Sequence, residues 1–435
     1  MARDLRPQPS RRDFLRASST AAAAAALPLG VAEAAFGGGG DTLKIGLVGC
    51  GGRGSGAVVQ ALRAEPRAVL WSLGDAFADR IDNLLAMLED EEGPVERSRI
   101  QVAPERRHVG LKSHQPVTDE VDVVLFATPP GFRPMQIEYA AEVGRHVFAE
   151  KPAATDGPGI RRVLAAAEEF DRKGKCFAHG FCWRAYEPWR AAIREIHDGR
   201  MGPLRAAYVT YLAGPLWHRG RKPEWTELEY QVRNWLYFTP LSGDHLVEQA
   251  VHSVDKVMWA MGDRPPKHVT AQGGRQVRTD PKYGNVYDHF DVVWEWDDGA
   301  VATLQCRQME GTLGENLDHF VGATGRMDAD GWAANFVVDG DFPWRYEGPR
   351  NDMYQTEHDE LFAAIREGRP LNQARQMATS TLAAIMGRMS AYTGQRVTWD
   401  MALQSKEELV PTDDAWDLDQ PLHCEVAMPG RTRFL

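Results

Sequence analysis

After residue 41 the chain opens with short apolar runs separated by amphipathic stretches. Residues 43–48, 68–73, 121–127, 146–149 and 175–179 are runs rich in Val, Ile, Leu, Phe and Ala, the pattern of buried strands. Between them, Val58, Val59, Ala61 and Leu62 share one helical face, and residues 134–143 and 157–172 carry the same period. Strands alternating with helices predict a parallel, doubly wound sheet over residues 42–182. The second half reads differently. Residues 206–211, 268–272, 291–296, 300–307 and 319–323 are short alternating runs, separated by turns such as Asp297-Asp298-Gly299 rather than by helices. They predict a large open, mainly antiparallel sheet in a second, α+β domain over residues 183–410. Two late amphipathic stretches, 354–367 and 374–393, predict helices at the domain junction, and residues 411–435 a tail around the body. The fold class is thus α/β plus α+β.

The 435 residues suit two or three domains at ~150 residues each. A net charge of −11 and the absence of a long basic run exclude the cationic footprint of a nucleic-acid binder. No apolar stretch of membrane-spanning length follows the N-terminus. Before it stands Ser10-Arg11-Arg12-Asp13-Phe14-Leu15-Arg16, then an alanine-rich run and Ala32-Glu33-Ala34. That order reads as a twin-arginine export signal over 1–34, handing the folded chain to the export machinery and on to the periplasm or beyond. A glycine-rich linker, 35–41, follows. The cysteines number 5 and form no C-x-x-C pair, so they read neither as a disulfide framework nor as a zinc ribbon.

The first apolar run ends in Gly49-Cys50-Gly51-Gly52-Arg53-Gly54, which satisfies G-x-G-x-x-G at a strand-to-helix turn. The first glycine permits the turn, the second lets backbone approach a pyrophosphate, and the third lets helix pack on strand. Gly52 and Arg53 belong to the same loop. The second run ends at Asp75, placed to bond the ribose hydroxyls of NAD and to repel the 2′-phosphate of NADP; Arg80, one turn on, softens that preference. These features predict a Rossmann domain and NAD in preference to NADP.

At Phe148-Ala149-Glu150-Lys151-Pro152, about a hundred residues after the glycine loop, the chain resembles the Gfo/Idh/MocA oxidoreductases. The likeness extends through Gly180-Phe181-Cys182-Trp183-Arg184, through 248–255 and through Gly322-Ala323-Thr324-Gly325, over roughly residues 42–405. It implies cofactor contacts at Thr128, Pro129, Glu150 and Lys151, an open second sheet, and association through one sheet face into a homo-oligomer, a dimer or tetramer. Two departures stand out. Gly131-Phe132-Arg133 follows Thr128-Pro129-Pro130 where the family often has a histidine, and Glu248 occupies a position usually held by Asp.

Oxidising an alcohol requires a base to take the hydroxyl proton and a cation to steady the developing alkoxide. A histidine suits the first task and a lysine the second. The assigned catalytic residues are His252 as acid/base, Lys151 as polariser and relay partner, and Glu248 as orienting acid. Glu248 and His252 share a face if the segment is helical. His245, Glu248 and His252 then form a metal-capable stripe, but no metal is assigned. Trp183, Arg184, Trp235 and Asp255 are the expected substrate contacts, on a carbohydrate or cyclitol.

Free NAD is scarce outside the cytoplasm, so an enzyme folded before export is expected to carry its cofactor tightly bound. The leading reading is hydride transfer between that cofactor and a secondary hydroxyl of a sugar, cyclitol or glycoside. A redox-neutral, NAD-assisted glycosidase, lyase or epimerase passing through a transient keto-sugar is the alternative. A non-catalytic sugar-binding relative is the third.

Overall fold

The computed structural model describes residues 42–410 and 420–433. The expected export signal, the linker and part of the tail lie outside them. Residues 43–182 build a six-stranded sheet from β1 (Leu43–Val48), β2 (Ala68–Asp75), β3 (Arg107–Val109), β4 (Val123–Phe126), β5 (His146–Ala149) and β6 (Phe177–His179). Every neighbouring pair is parallel, in the order β3-β2-β1-β4-β5-β6. Helices Gly52–Ala64, Arg133–Val143 and Gly157–Lys173 supply crossovers. β4 is buried at all four residues, the signature of a strand covered on both faces. The order reverses direction between β1 and β4, and there the strand ends leave a crevice. The loop from Gly49 follows β1 and Thr128-Pro129 follows β4, so both flank it.

The second sheet has nine strands. They are β7 (Leu204–Ala213), β8 (His268–Gly274), β9 (His289–Glu295), β10 (Val301–Gln308), β11 (Asp318–Gly322), β12 (Gly325–Asp330), β13 (Asn335–Gly340), β14 (Trp344–Arg345) and β15 (Val397–Thr398). Their order is β14-β13-β12-β11-β7-β10-β9-β8-β15. All pairs are antiparallel except β7 with β10. β9 alternates strictly between buried and half-exposed residues, so one face lies on the core and the other is open.

Helix Ala374–Thr393 is buried almost all round, against Gly157–Lys173 on one side and β8 on the other. Helix Met353–Glu367 packs on Gly52–Ala64 and adds Leu361, Phe362 and Ile365 to the core beneath the first sheet. Helix Ala374–Thr393 thus lies between an element of each sheet's domain, and it is buried around its circumference rather than along the single face its pattern predicts. Residues 420–433 run without regular structure over the second domain, with Leu422 and Ala427 buried. Among the described residues no helix is long and apolar enough to cross a membrane.

Candidate active site at the strand ends

The glycine turn is built as its spacing predicts. Gly49 has φ +96°, and a side chain there would strike the backbone of Ala127 and Thr128. At Gly54 a Cβ would lie 1.9 Å from the Gly49 carbonyl oxygen, so strand and helix are in direct contact. At Gly51 and Gly52 a Cβ would meet nothing within 4 Å. The helix behind them has no side-chain cap and no acidic residue in its first turn. First-turn N–H groups facing an open cradle, with no acidic side chain in that turn, suit a diphosphate. Asp75 closes the far end of the turn: its carboxylate accepts the amides of Cys50 at 2.7 Å and Phe77 at 3.0 Å. Burial raises the Asp75 pKa, and those two amides pull it back. The residues present therefore fit a dinucleotide.

Arg53 and Glu150, both expected at the cofactor, are joined to each other through the Arg53 Nε. Arg53 Nη2 also lies 3.0 Å from Gln60 Oε1 and 3.8 Å from Glu357 Oε1. Glu357, on helix Met353–Glu367, buries both carboxyl oxygens without a hydrogen bond. Its pKa is driven well up, first by burial and then by the charge of Glu150. Nothing in the sequence marked Glu357, which reaches this loop across about three hundred positions.

Lys151 and Glu248 do meet. The ammonium donates to the Glu248 carbonyl at 2.5 Å and to its carboxylate at 3.2 Å. His252 lies near enough for Lys151 to influence it: burial lowers its pKa well below the ordinary histidine value, and the charges of Lys151 and Lys256 lower it further. Its Nδ1 is buried without a partner. A neutral imidazole beside an ammonium is a proton acceptor beside an oxyanion stabiliser. Near the end of β7, Tyr211 has its pKa raised by burial and then by the charge of Glu248. Sequence reasoning missed Tyr211 because a strand tyrosine carries no motif.

The segment is not one helix. Asp244–Glu248 and Val251–Ala260 are separate, broken at Gln249-Ala250. The three side chains of the metal-capable stripe do not line up, because the His245 ring turns to Asp244 at 3.0 Å and to Cys306 at 3.6 Å. Among the described residues no group of three His, Cys, Asp or Glu is arranged to hold a metal.

Arg133 answers the first departure. It is 2% exposed and donates to the carbonyls of Thr128 and Pro152, tying the loop after β4 to the loop after β5. Burial brings its pKa down to about 10.

The expected substrate contacts are placed otherwise. Arg184 donates to both Asp255 oxygens at 2.9 Å and to Asp263 at 2.6 Å, and Asp255 also accepts from Ser380. Arg184 and Asp255 are thus paired and buried, with their hydrogen-bonding capacity spent on each other and on neighbouring helices. Trp183 is buried, edge-on to Trp332 at 4.9 Å. Trp235 is half-buried beside Trp217, in an apolar cluster shared by the two domains.

A glycine-turn domain with an open diphosphate cradle and a lysine at a neighbouring strand end defines a class. Residues 43–180 match the model of the oxidoreductase family with an NAD-binding Rossmann fold. Residues 189–326 match the GFO/IDH/MocA C-terminal domain. The chain belongs to the Gfo/Idh/MocA family. Residues 8–28 match the twin-arginine translocation pathway signal sequence, so the protein is exported. It is 24% identical over 265 residues to a 2,7-anhydro-N-acetylneuraminate hydratase of Mediterraneibacter gnavus, a match covering 58% of this chain and 64% of that protein. It thus spans less than two thirds of that relative's length. An inositol 2-dehydrogenase of Rhizobium meliloti is 25% identical over 250 residues, 56% of this chain and 68% of that one. Among solved structures, an aldose–aldose oxidoreductase from Caulobacter crescentus superposes with a TM-score of 0.63 at 18% identity, covering 82% of this chain and 100% of the other. At that identity the likeness establishes the fold alone.

Proposed function

We propose that the protein is an NAD-dependent oxidoreductase acting on a secondary hydroxyl of a sugar, cyclitol or glycoside, with the cofactor held tightly. The observation that carries this reading is the contact of Lys151 with Glu248, one helical break before His252, whose pKa is lowered by burial and then by the charge of Lys151. A bound nicotinamide supplies the hydride acceptor. Gly51 and Gly52 leave space for its diphosphate, and Asp75 offers acceptors to a ribose hydroxyl. His252 takes the proton of the substrate hydroxyl, and Lys151 steadies the oxygen as charge develops. Glu248 fixes the direction of the Lys151 ammonium. Arg133 holds the two loops that carry Thr128 and Lys151 at constant separation.

The inositol dehydrogenase relative favours this reading. The hydratase relative supports a second, redox-neutral one, in which hydride leaves the substrate and returns to it. Export with a bound cofactor suits that cycle equally well. The test is to denature the purified protein, assay released NAD(H), and then follow reduced-nicotinamide absorbance while sugars, cyclitols and glycosides are added. Bound NAD(H) and an absorbance change with one substrate class are expected. No released cofactor and no binding of added NAD or NADP would sink the proposal. Product formation without net absorbance change would select the redox-neutral cycle. Lys151→Met and His252→Ala should each lower turnover by about 10³, and His252→Ala should do so with its cofactor content kept.

A further inference from the structure

The two sheets do not account for all the apolar packing. A third cluster, separate from both cores, draws Ala76, Phe77 and Phe132 from the first domain and Leu228, Tyr237 and Leu422 from the second. It lies at the end of the crevice marked by Asp75, since the amide of Phe77 is one of the two donors to that carboxylate. Arg233, at the end of helix Glu227–Arg233, is the polar centre of the contact. Its guanidinium stands 3.8 Å from the centre of the Phe77 ring and 4.8 Å from that of Trp225. It donates to both Asp79 oxygens, at 3.0 and 3.2 Å, and to Glu229 at 2.8 Å. The Arg233 side chain is 11% exposed, packed between the two rings, while its partner Asp79 stays half-exposed.

The C-terminal tail secures the same helix from behind. Gln231 donates to the Leu422 carbonyl at 3.1 Å and accepts its amide at 2.8 Å. Asn285 and Tyr287 then donate to the carbonyls of Glu425 and Ala427. A domain–domain contact built on the turn that follows Asp75 walls that end of the crevice.

We infer that residues 216–238 clasp the adenosine end of a bound dinucleotide, with Arg233 as the latch on Phe77 and Asp79 and residues 420–427 as its backing. Resting on the proposed function, this gives the expected tight cofactor a physical cause: the cofactor leaves only when Arg233 parts from the first domain. A partly buried guanidinium held by two rings and two carboxylates, of which Phe77 and Asp79 lie across the contact, adds to the barrier against opening.

The experiment loads the full-length protein with NADH and measures its release into a trap of a soluble NADH-consuming dehydrogenase with its substrate. Arg233→Ala should release NADH about tenfold faster than the parent, by loss of one such contact. Gln231→Ala, which frees the tail but touches neither Phe77 nor Asp79, should accelerate release less. Arg190→Ala removes a comparable arginine, paired with Glu187 and Glu360 away from Asp75, and should release at the parent rate. Thermal melts of each variant show that release is read on folded protein. Parent-like release from both Arg233→Ala and Gln231→Ala would overturn the clasp, and so would equal acceleration in Arg190→Ala. A parent protein that neither retains nor binds NAD(H) would instead overturn the functional reading, and the clasp with it.

Discussion

At Gly54 one added methyl carbon would stand 1.9 Å from a backbone oxygen; at Gly51 it would meet nothing within 4 Å. The two glycines of one motif therefore do different work. Gly54→Ala must push the helix off the strand, and should destabilise the protein by about 2–3 kcal/mol. Gly51→Ala should leave the denaturation midpoint unchanged and weaken NAD binding about tenfold, since the methyl enters the cradle rather than the core. Equal loss of stability in both would refute that division. The same scale governs His252. Burial first, then the Lys151 and Lys256 charges, lowers its pKa, so it stays neutral below the ordinary value of about 6.5. Removing the Lys151 charge must move that titration upward. Histidine-selective NMR of Lys151→Met should show the His252 transition at higher pH than in the parent. An unmoved transition would mean that the two groups are not electrostatically coupled.

Between β7 and β8 the chain departs from its sequence pattern, and Asp244 is the reason. It is fully buried with φ +71°, a backbone conformation that a non-glycine residue adopts only under constraint. Its carboxylate accepts the His245 amide and ring, the Tyr287 amide at 2.7 Å and the Tyr392 hydroxyl at 2.6 Å. These bonds draw His245 away from Glu248 and set the start of the short helix that presents Glu248 to Lys151. Asp244→Ala strands several buried donors at once, and should cost about 3–4 kcal/mol in urea unfolding. Asp244→Asn, which keeps one acceptor oxygen, should cost less; equal costs would deny the network its role. The sequence showed the acid and the histidine four residues apart, but not the break at Gln249-Ala250, because the bonds that hold the segment come from distant residues, Tyr287 before β9 and Tyr392 on helix Ala374–Thr393. β9 and β10 were legible from alternation. β12 was not, because Met327 and Ala329 alone mark its buried face among polar neighbours, and β13 was not, because its apolar run Phe336-Val337-Val338 is only three residues long. Arg133 and Tyr211 were invisible as site residues for a related reason: their surroundings come from elsewhere in the chain.

Over the whole molecule, two sets of buried groups pull stability in opposite directions with pH. His146, His179, His252 and His358 all have lowered pKa values, chiefly through burial, His146 to about 4. A lowered folded pKa means that the unfolded chain binds protons first, so stability falls as pH drops below about 6.5. Glu357 acts oppositely. Its folded pKa is raised, so the folded protein keeps a proton that the unfolded chain has released above about 4.3. Its contribution is fully present below that pH and is lost as pH rises toward the folded value. The stability curve is thus squeezed from both sides, and the two arms are separable. Glu357→Gln replaces the buried neutral acid with a neutral side chain of equal size that has no proton to lose. Measured by urea unfolding from pH 4.5 to 8.5, the variant should gain on the parent as pH rises and keep the same acid-side decline. His358→Leu should do the reverse, since both ring nitrogens of His358 are buried without partners, 4.2 Å from centroid to centroid against Phe148. It should gain on the parent only as pH falls from about 6.5. If Glu357→Gln instead loses stability at high pH, then Glu357 is ionised in the fold. It would in that case be a working counter-charge to Arg53 rather than a retained acid.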